Sequence, residues 1–460
     1  MNYTEFIKSK KFTVKSNGFT PKRKNAKLFD WQQAVVQWAC KKGRSAIFAD
    51  CGLGKTAIQI EFGAEVASDT KRPVLIVAPL AVSTQTILEA EKFNRRVTLA
   101  RSQEDVGDCG VYITNYEMLG HFDGAAFGGV ILDESSILKQ YSGKIRGQIT
   151  EMFRTTPYKL ECTATPAPND YMEFGSHAEF LDIMTRPEML ATFFVHDGSD
   201  TSKWRLKGHA EENFWMWMSQ WALTIKTPAD IGYDASGYQL PPLNIVEHIV
   251  PSEAGELEDG QLMLVPRAAA TLNERRQARR DSLENRCELA AGLLNDEQWL
   301  IWCDLNDESA LLTKLTGGVE VKGADKPEHK TTAMQGFSAG NVRVLISKPS
   351  IAGWGMNWQN CHNMIFAGHS DSYEMMYQAI RRCLRYGQEH QVNVHIITSE
   401  AEGAVRENIR RKERQADRMY EKTAQYSRAS LESEVENAHR EKDNYKAEEE
   451  MRLPKWLIAA

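Results

Sequence analysis

"SAIFADCGLGKTAIQI", Ser45 to Ile60, nearly spells a phosphate-binding loop. A strict phosphate-binding loop carries a glycine, four free positions and then Gly-Lys-Ser or Gly-Lys-Thr. Gly54-Lys55-Thr56 is intact, but Ala49 stands where the first glycine belongs. A loop that cradles phosphate needs backbone N–H groups aimed inward at a helix N-terminus, and small residues so that phosphate can approach. Gly52 and Gly54 supply the close approach, and Ala49 ends the preceding strand, where a methyl group is tolerated. Lys55 is then placed to reach the β- and γ-phosphates of ATP, and Thr56 to ligate Mg²⁺. The apolar "SAIFA" before the loop predicts a strand, and "AIQIEFGAEVA" after it predicts a helix.

Outward from that loop the same rhythm repeats. "SAIFA", "PVLIVA", "GVYIT", "GGVILDE" and "YKLECTAT" are short apolar runs, each followed by a helix-like stretch. A second series follows Trp299: "WLIWCDL", "VEVKG", "VRVLIS", "NMIFAG" and "VNVHIITS". Buried apolar strands alternating with amphipathic segments predict parallel strands joined by crossover helices. The fold class is therefore α/β with two lobes, residues 28–184 and 271–400. Residues 1–27 read as a basic arm, with Lys8, Lys10, Lys11, Lys15, Lys22, Arg23, Lys24 and Lys27 and no acid between Ile7 and Phe29. Such an arm is either solvated or in contact with phosphates. Residues 185–270 break the rhythm and read as a helical insertion. Its Trp215, Trp217 and Trp221 fit a packing core better than a base-stacking platform at helical spacing. Residues 401–460 are dense in charge and too poor in apolar residues for sustained heptads, which predicts a long solvated helix.

The 460 residues have room for roughly three domains by length. A net charge of -6 argues against a wholesale polyanion binder while leaving room for a basic groove. The eight cysteines hold no C-x-x-C pair, so neither a zinc knuckle nor a disulfide framework is signalled. The start "MNYTEFIKSKK" lacks an apolar core and no run of about 18 apolar residues occurs. Those features predict a soluble, cytoplasmic protein without a membrane partner.

A nucleotide hydrolase needs acids beside the phosphate loop. In "GGVILDESS", Asp133 ends an apolar strand and is placed to hold Mg²⁺, while the adjacent Glu134 is placed to polarise water. In "YQAIRRCLRYGQ", Arg382 and Arg385 fall four and seven positions after Gln378. On a helix that spacing forms roughly one face. The face can deliver guanidinium groups to a γ-phosphate, as an arginine finger does.

Together these segments resemble the superfamily-two nucleic-acid motors, and most of all the Swi/Snf-type double-strand DNA translocases. Alanine often stands at the position of Ala49 in that superfamily. "LFDWQQ" is similar to the motif in which a glutamine reads adenine, here Gln32. "VLIVAPLAVSTQTILEAEKF" and "VYITNYEML" resemble the segments that grip the tracked strand. "CTATP" resembles the motif that couples hydrolysis to lobe movement. "ISKPSIAGWGMNWQNCHNMIF" resembles the fifth motif, with Gly353, Gly355 and Asn357 in place and Gly355 at the nucleotide. "YQAIRRCLRYGQ" resembles the sixth, matching at Gln378, Arg382, Arg385, Gly387 and Gln388, and departing at Arg381, where an acid is usual. "DESS" departs from the commoner DEAH-type ending without touching the two acids.

The resemblance covers about residues 28–180 and 270–400. It implies two RecA-like lobes, ATP and Mg²⁺ as cofactors, and double-stranded DNA as partner. Glu134, Arg382 and Arg385 would be catalytic. Gln32, Gly52, Gly54, Lys55, Thr56 and Gly355 would bind nucleotide, and Thr56 and Asp133 would hold Mg²⁺. The expected activity is ATP-driven tracking along duplex DNA by a monomeric motor, with an unidentified protein as a loading partner. A strand-separating helicase and a nucleotide-gated adaptor are the alternatives. The size, without a recognisable reader module, suggests a compact bacterial or bacteriophage form.

Overall fold

Ile47 and Ala49 of the strand β1 (Arg44–Ala49) enter one buried apolar cluster, and Ala46 and Phe48 enter another. Alternate residues of a strand face opposite sides of its sheet. A strand buried on both sides is the mark of a parallel sheet covered on both faces by helices. The computed structural model describes residues 14–139, 143–197, 200–251, 272–352, 356–368 and 372–436.

The first sheet also contains β2 (Pro73–Ala78), β3 (Val97–Leu99), β4 (Gly110–Asn115), β5 (Gly129–Asp133) and β6 (Tyr158–Thr163). After the antiparallel pair β7 (Phe194–Asp197) and β8 (Asp200–Leu206), β9 (Ala222–Ile225) completes it. The seven strands run in the order β3-β4-β2-β5-β6-β1-β9, every pair parallel. The second sheet comprises β10 (Leu243–Val250), β11 (Trp299–Trp302), β12 (Val319–Val321), β13 (Val344–Ser347), β14 (Asn363–Phe366) and β15 (Val392–Ser399). Its order is β10-β15-β14-β11-β13-β12, again parallel throughout. The fold is thus two parallel α/β lobes, and all ten apolar runs read from the sequence are strands within them.

Residues 185–270 differ from the expected insertion. β9 pairs with β1 at the edge of the first sheet, and β10 pairs with β15 at the edge of the second. The helix Glu211–Ser219 buries Phe214, Trp215, Trp217 and Met218, which with Trp221 join Phe48 and Leu132 in the core of the first lobe. Trp215, Trp217 and Trp221 are 1%, 2% and 0% exposed, so the tryptophans are packing residues. Among its described residues this stretch departs from the strand–helix rhythm because each sheet takes one edge strand from it.

The charged helix Gly403–Glu436 differs as well, for it is not simply solvated. Ile409 joins the core of the second lobe, Met419 and Tyr420 one core of the first, and Leu431 the other. Thr423 and Ser427 are also buried and continue that face at helical spacing. Their hydroxyls are satisfied: Thr423 donates to the Met419 carbonyl at 2.7 Å, and the Thr224 N–H donates to Ser427 Oγ at 3.1 Å. Polar residues in the buried stripe hide it from a hydropathy reading. No helix among the described residues is long and apolar enough to cross a membrane. Of the basic arm, residues 1–13 lie outside the described residues.

Candidate nucleotide site between the lobes

Ligands of open parallel sheets bind beyond the carboxyl ends of the strands. The order β5-β6-β1 brings three such ends side by side, with Asp133 in register with Cys162 and Phe48 with Thr163. The residues singled out in three separate segments of sequence therefore meet at one edge.

The loop after β1 turns through Gly52 and Gly54, at φ 85° and 70°. Side chains rarely adopt that region, and at Gly54 there is a second reason for glycine. A Cβ there would lie 2.4 Å from Gln32 Nε2. Gln32 is buried on the helix Asp30–Lys42, and its amide donates to the Leu53 carbonyl at 3.3 Å. The predicted adenine reader thus backs directly onto the phosphate loop. Lys55 opens the helix Lys55–Thr70, and its ammonium donates to the carbonyls of Ala49 at 2.9 Å and Asp50 at 3.2 Å. Thr56 follows it in the first turn, where the helix dipole favours an anion.

Asp133 ends β5 and is fixed by Gln59, whose amide donates to its carboxylate at 2.7 Å. Gln59 lies one helical turn after Lys55 and shares its face. Tyr116 donates its hydroxyl to the Asp133 carbonyl at 2.6 Å. Burial raises the Asp133 pKa against the opposing hydrogen bond from Gln59. Glu134 has φ 51°, a left-handed conformation unusual for this residue type. Burial, then the Asp133 charge, raise its pKa to about 7 against the pull of Lys55 and Arg382. A carboxyl poised near neutrality is suited to accept a proton from water. Thr163, at the end of β6, donates to Glu134 at 3.3 Å. Ser135 Oγ is buried beside these acids without a partner.

From the second lobe, Arg382 and Arg385 follow the helix Tyr373–Ile380. Both guanidinium groups donate to the Met356 carbonyl, at 3.4 Å and 3.3 Å. Among the described residues neither meets a carboxylate. Burial, then the charge of Arg382, lowers the Arg385 pKa to about 10. Arg382 is buried and Arg385 half-buried, and two guanidinium groups held side by side with no carboxylate in ion-pair contact among the described residues form a site for an anion. That site lies against the phosphate loop, because a Cβ on Gly52 would meet Tyr386 N at 3.3 Å and Arg385 Cβ at 3.7 Å.

Residues 285–387 match the family model of the helicase conserved C-terminal domain. The match holds β11 to β14 and both cleft arginines, and it supports the superfamily-two resemblance read from the sequence. No curated protein matches the chain. Among solved structures, the chain is similar to the Sulfolobus solfataricus SWI2/SNF2 ATPase core in complex with dsDNA. Identity is 18% over 83% of this chain and 90% of that one, with a TM-score of 0.42, a loose overall likeness.

The second lobe reaches the first lobe through three more residues to which the sequence assigned no role. Glu374 accepts from Thr165 at 3.1 Å and pairs with Lys139. Tyr377 and Arg381 both bond the carboxylate of Asp50 in the phosphate loop. Arg381 had stood out as a departure from the family pattern, but nothing in the sequence names its partner. Tyr420 of the C-terminal helix donates to the Ala164 carbonyl at 2.8 Å, inside "CTATP". Gly353 and Gly355 lie outside the described residues.

The donor set fits a nucleoside triphosphate with a divalent cation. Among the described residues the Lys55 ammonium is hydrogen-bonded only to backbone carbonyls, Asp133 and Glu134 stand near it, and neither Arg382 nor Arg385 has a carboxylate in ion-pair contact.

Proposed function

We propose that the protein is an ATP-dependent translocase that hydrolyses ATP to track along double-stranded DNA and displace bound factors. The observation that carries this reading is the placement of Arg385 against the Gly52 turn of the phosphate loop, with Arg382 bonded to the same Met356 carbonyl and neither in ion-pair contact with a carboxylate among the described residues.

In this reading Lys55 grips the β- and γ-phosphates and Gln32 faces the base. Bound Mg²⁺ would neutralise phosphate oxygens, with Thr56 and Asp133 as the residues to hold it. Glu134 takes a proton from the water that attacks the γ-phosphorus, and ADP leaves. Arg382 and Arg385 meet the charge that gathers on the γ-oxygens and the bridging oxygen. Hydrolysis is felt at Glu134, which is bonded to Thr163, while Thr165, two residues on, is bonded to Glu374 of the other lobe. That chain is short enough to turn loss of the γ-phosphate into relative movement of the lobes. Movement along a phosphate backbone makes binding steeply dependent on salt.

The deciding experiment compares ATPase stimulation by duplex DNA, single-stranded DNA and RNA, with triplex and forked-duplex displacement run in parallel. Duplex DNA is expected to stimulate most, with triplex displacement and no unwinding. Efficient unwinding of a forked duplex would replace the translocase by a strand-separating helicase. Binding of ATP without stimulated turnover would leave a nucleotide-gated adaptor.

A further inference from the structure

Of the three arginines that follow the helix Tyr373–Ile380, Arg381 alone is in ion-pair contact with a carboxylate among the described residues. Its guanidinium bonds Asp50, the first residue of the phosphate loop, while Arg382 and Arg385 rest on a carbonyl. Asp50 is 4% exposed and tied on every side. Its N–H donates to the Ile225 carbonyl of β9 at 2.9 Å, and its own carbonyl accepts from Lys55 at 3.2 Å. Its carboxylate accepts from the Cys51 N–H at 2.6 Å, from the Tyr377 hydroxyl and from Arg381. Arg381 is equally constrained. Its guanidinium lies over the Tyr377 ring at 5.3 Å, donates to the Tyr377 oxygen at 3.3 Å, and donates to the Leu384 carbonyl at 3.4 Å.

The last of these bonds matters most. The same guanidinium that grips the phosphate loop also holds the carbonyl adjoining Arg385, so the loop and the arginine-bearing turn are fixed to one group.

We infer that Asp50 and Arg381 form a cross-lobe clasp, with Arg381 a positioning residue that sets Arg382 and Arg385 against the phosphate loop. The inference rests on the ATPase reading above and adds to it a residue that touches no phosphate. Charge supports the division of labour. Asp50 neutralises Arg381, which leaves the other two guanidinium groups for the nucleotide. An acid at position 381 would instead face the Asp50 carboxylate and be repelled. A fork that bridges two lobes is a task for arginine, because its planar donors fix direction as well as charge.

The test is a double-mutant cycle on the full chain with Asp50→Asn, Arg381→Gln and the pair combined. Duplex-stimulated kcat is compared with the Kd for a fluorescent ATP analogue, and thermal melting verifies folding. Each single variant is expected to lose tenfold or more in kcat while Kd stays within about threefold. The double variant should be no slower than the worse single, because residues acting as a unit are not additive. Arg381→Lys keeps the charge and should recover part of the turnover that Arg381→Gln loses. Multiplicative losses in the double variant, a loss confined to Kd, or no recovery with lysine would overturn the clasp. A wild-type protein that fails to hydrolyse ATP would overturn the ATPase reading and the clasp with it. Turnover that is present in wild type, absent in Lys55→Ala and indifferent to positions 50 and 381 would overturn the clasp alone.

Discussion

Thr165 at the end of the first lobe's sheet donates its hydroxyl to Glu374 of the second lobe at 3.1 Å, two residues beyond Thr163, which donates to Glu134. The residues bonded to Glu134, the proposed general base, and to Glu374 of the opposite lobe are thereby separated by one residue of backbone. Replacing Thr165 by valine keeps the shape and removes the donor, while Lys139 still pairs with Glu374. A single hydrogen bond contributes about 0.5–1.5 kcal/mol. Thr165→Val is therefore expected to bind ATP normally and to lower triplex displacement per ATP hydrolysed by about two- to tenfold. Equal losses in hydrolysis and displacement would remove Thr165 from the coupling path.

In the proposed mechanism Lys55 holds phosphate and Glu134 activates water. Lys55→Ala should abolish nucleotide binding. Glu134→Gln should bind Mg-ATP and lose about 10²- to 10⁴-fold in turnover, the usual size of a general-base contribution. Equilibrium binding and single-turnover hydrolysis separate the two, and near-normal turnover in Glu134→Gln would take that residue out of the base role.

The raised pKa of Glu134, about 7, gives this role a pH signature. A base acts only when deprotonated, so kcat/KM should fall as pH drops below about 7 and level off above it. An ordinary glutamate would keep full activity to about pH 5. A profile flat between pH 5 and 8 would show that Glu134 does not titrate there or is not the base.

Arg385 is the residue that tests whether the second lobe completes the site. An arginine at a γ-phosphate contributes roughly 10³- to 10⁵-fold in rate. Arg385→Ala should retain ATP and DNA binding and lose hydrolysis and movement together, with a smaller loss for Arg382→Ala. Arg385→Lys should resemble the alanine variant, because an ammonium cannot copy the planar fork. Normal hydrolysis in Arg385→Ala would defeat the two-lobe mechanism.

The C-terminal helix provides a prediction about stability. Leu431 is 3% exposed within a core of the first lobe. Leu431→Ala should destabilise that lobe by about 2–5 kcal/mol, read from denaturant unfolding. A change below about 0.5 kcal/mol would mean that the helix is held on the lobe by other contacts.

Much of this was written locally. The parallel lobes were legible because strands buried on both faces appear as continuous apolar runs, from "SAIFA" to "VNVHIITS". The glycine turn and helix start of the candidate phosphate loop were legible despite Ala49, because its demands fall on neighbouring residues: Gly52 and Gly54 at positive φ and a helix that opens at Lys55. Asp133 and Glu134 could be named because each is set by its place at a strand end, whereas Arg382 and Arg385 were expected on one helix face with Gln378 and instead lie in the turn after that helix, which ends at Ile380.

What only the tertiary structure decided are the relationships between distant residues. Asp50 and Arg381 are 331 positions apart, and no local pattern in "ADCG" or "IRRC" says that one accepts from the other. β9 and β10 are edge strands, and which sheet each joins depends on packing against β1 and β15. The C-terminal helix was legible as a helix but not as a packed one, because its buried face runs through Thr423 and Ser427. A hydroxyl reads as solvated until a carbonyl or N–H is found to satisfy it, and here the Met419 carbonyl and the Thr224 N–H do so. Periodicity specifies which residues share a face, whereas the partner of that face is chosen by the folded chain as a whole.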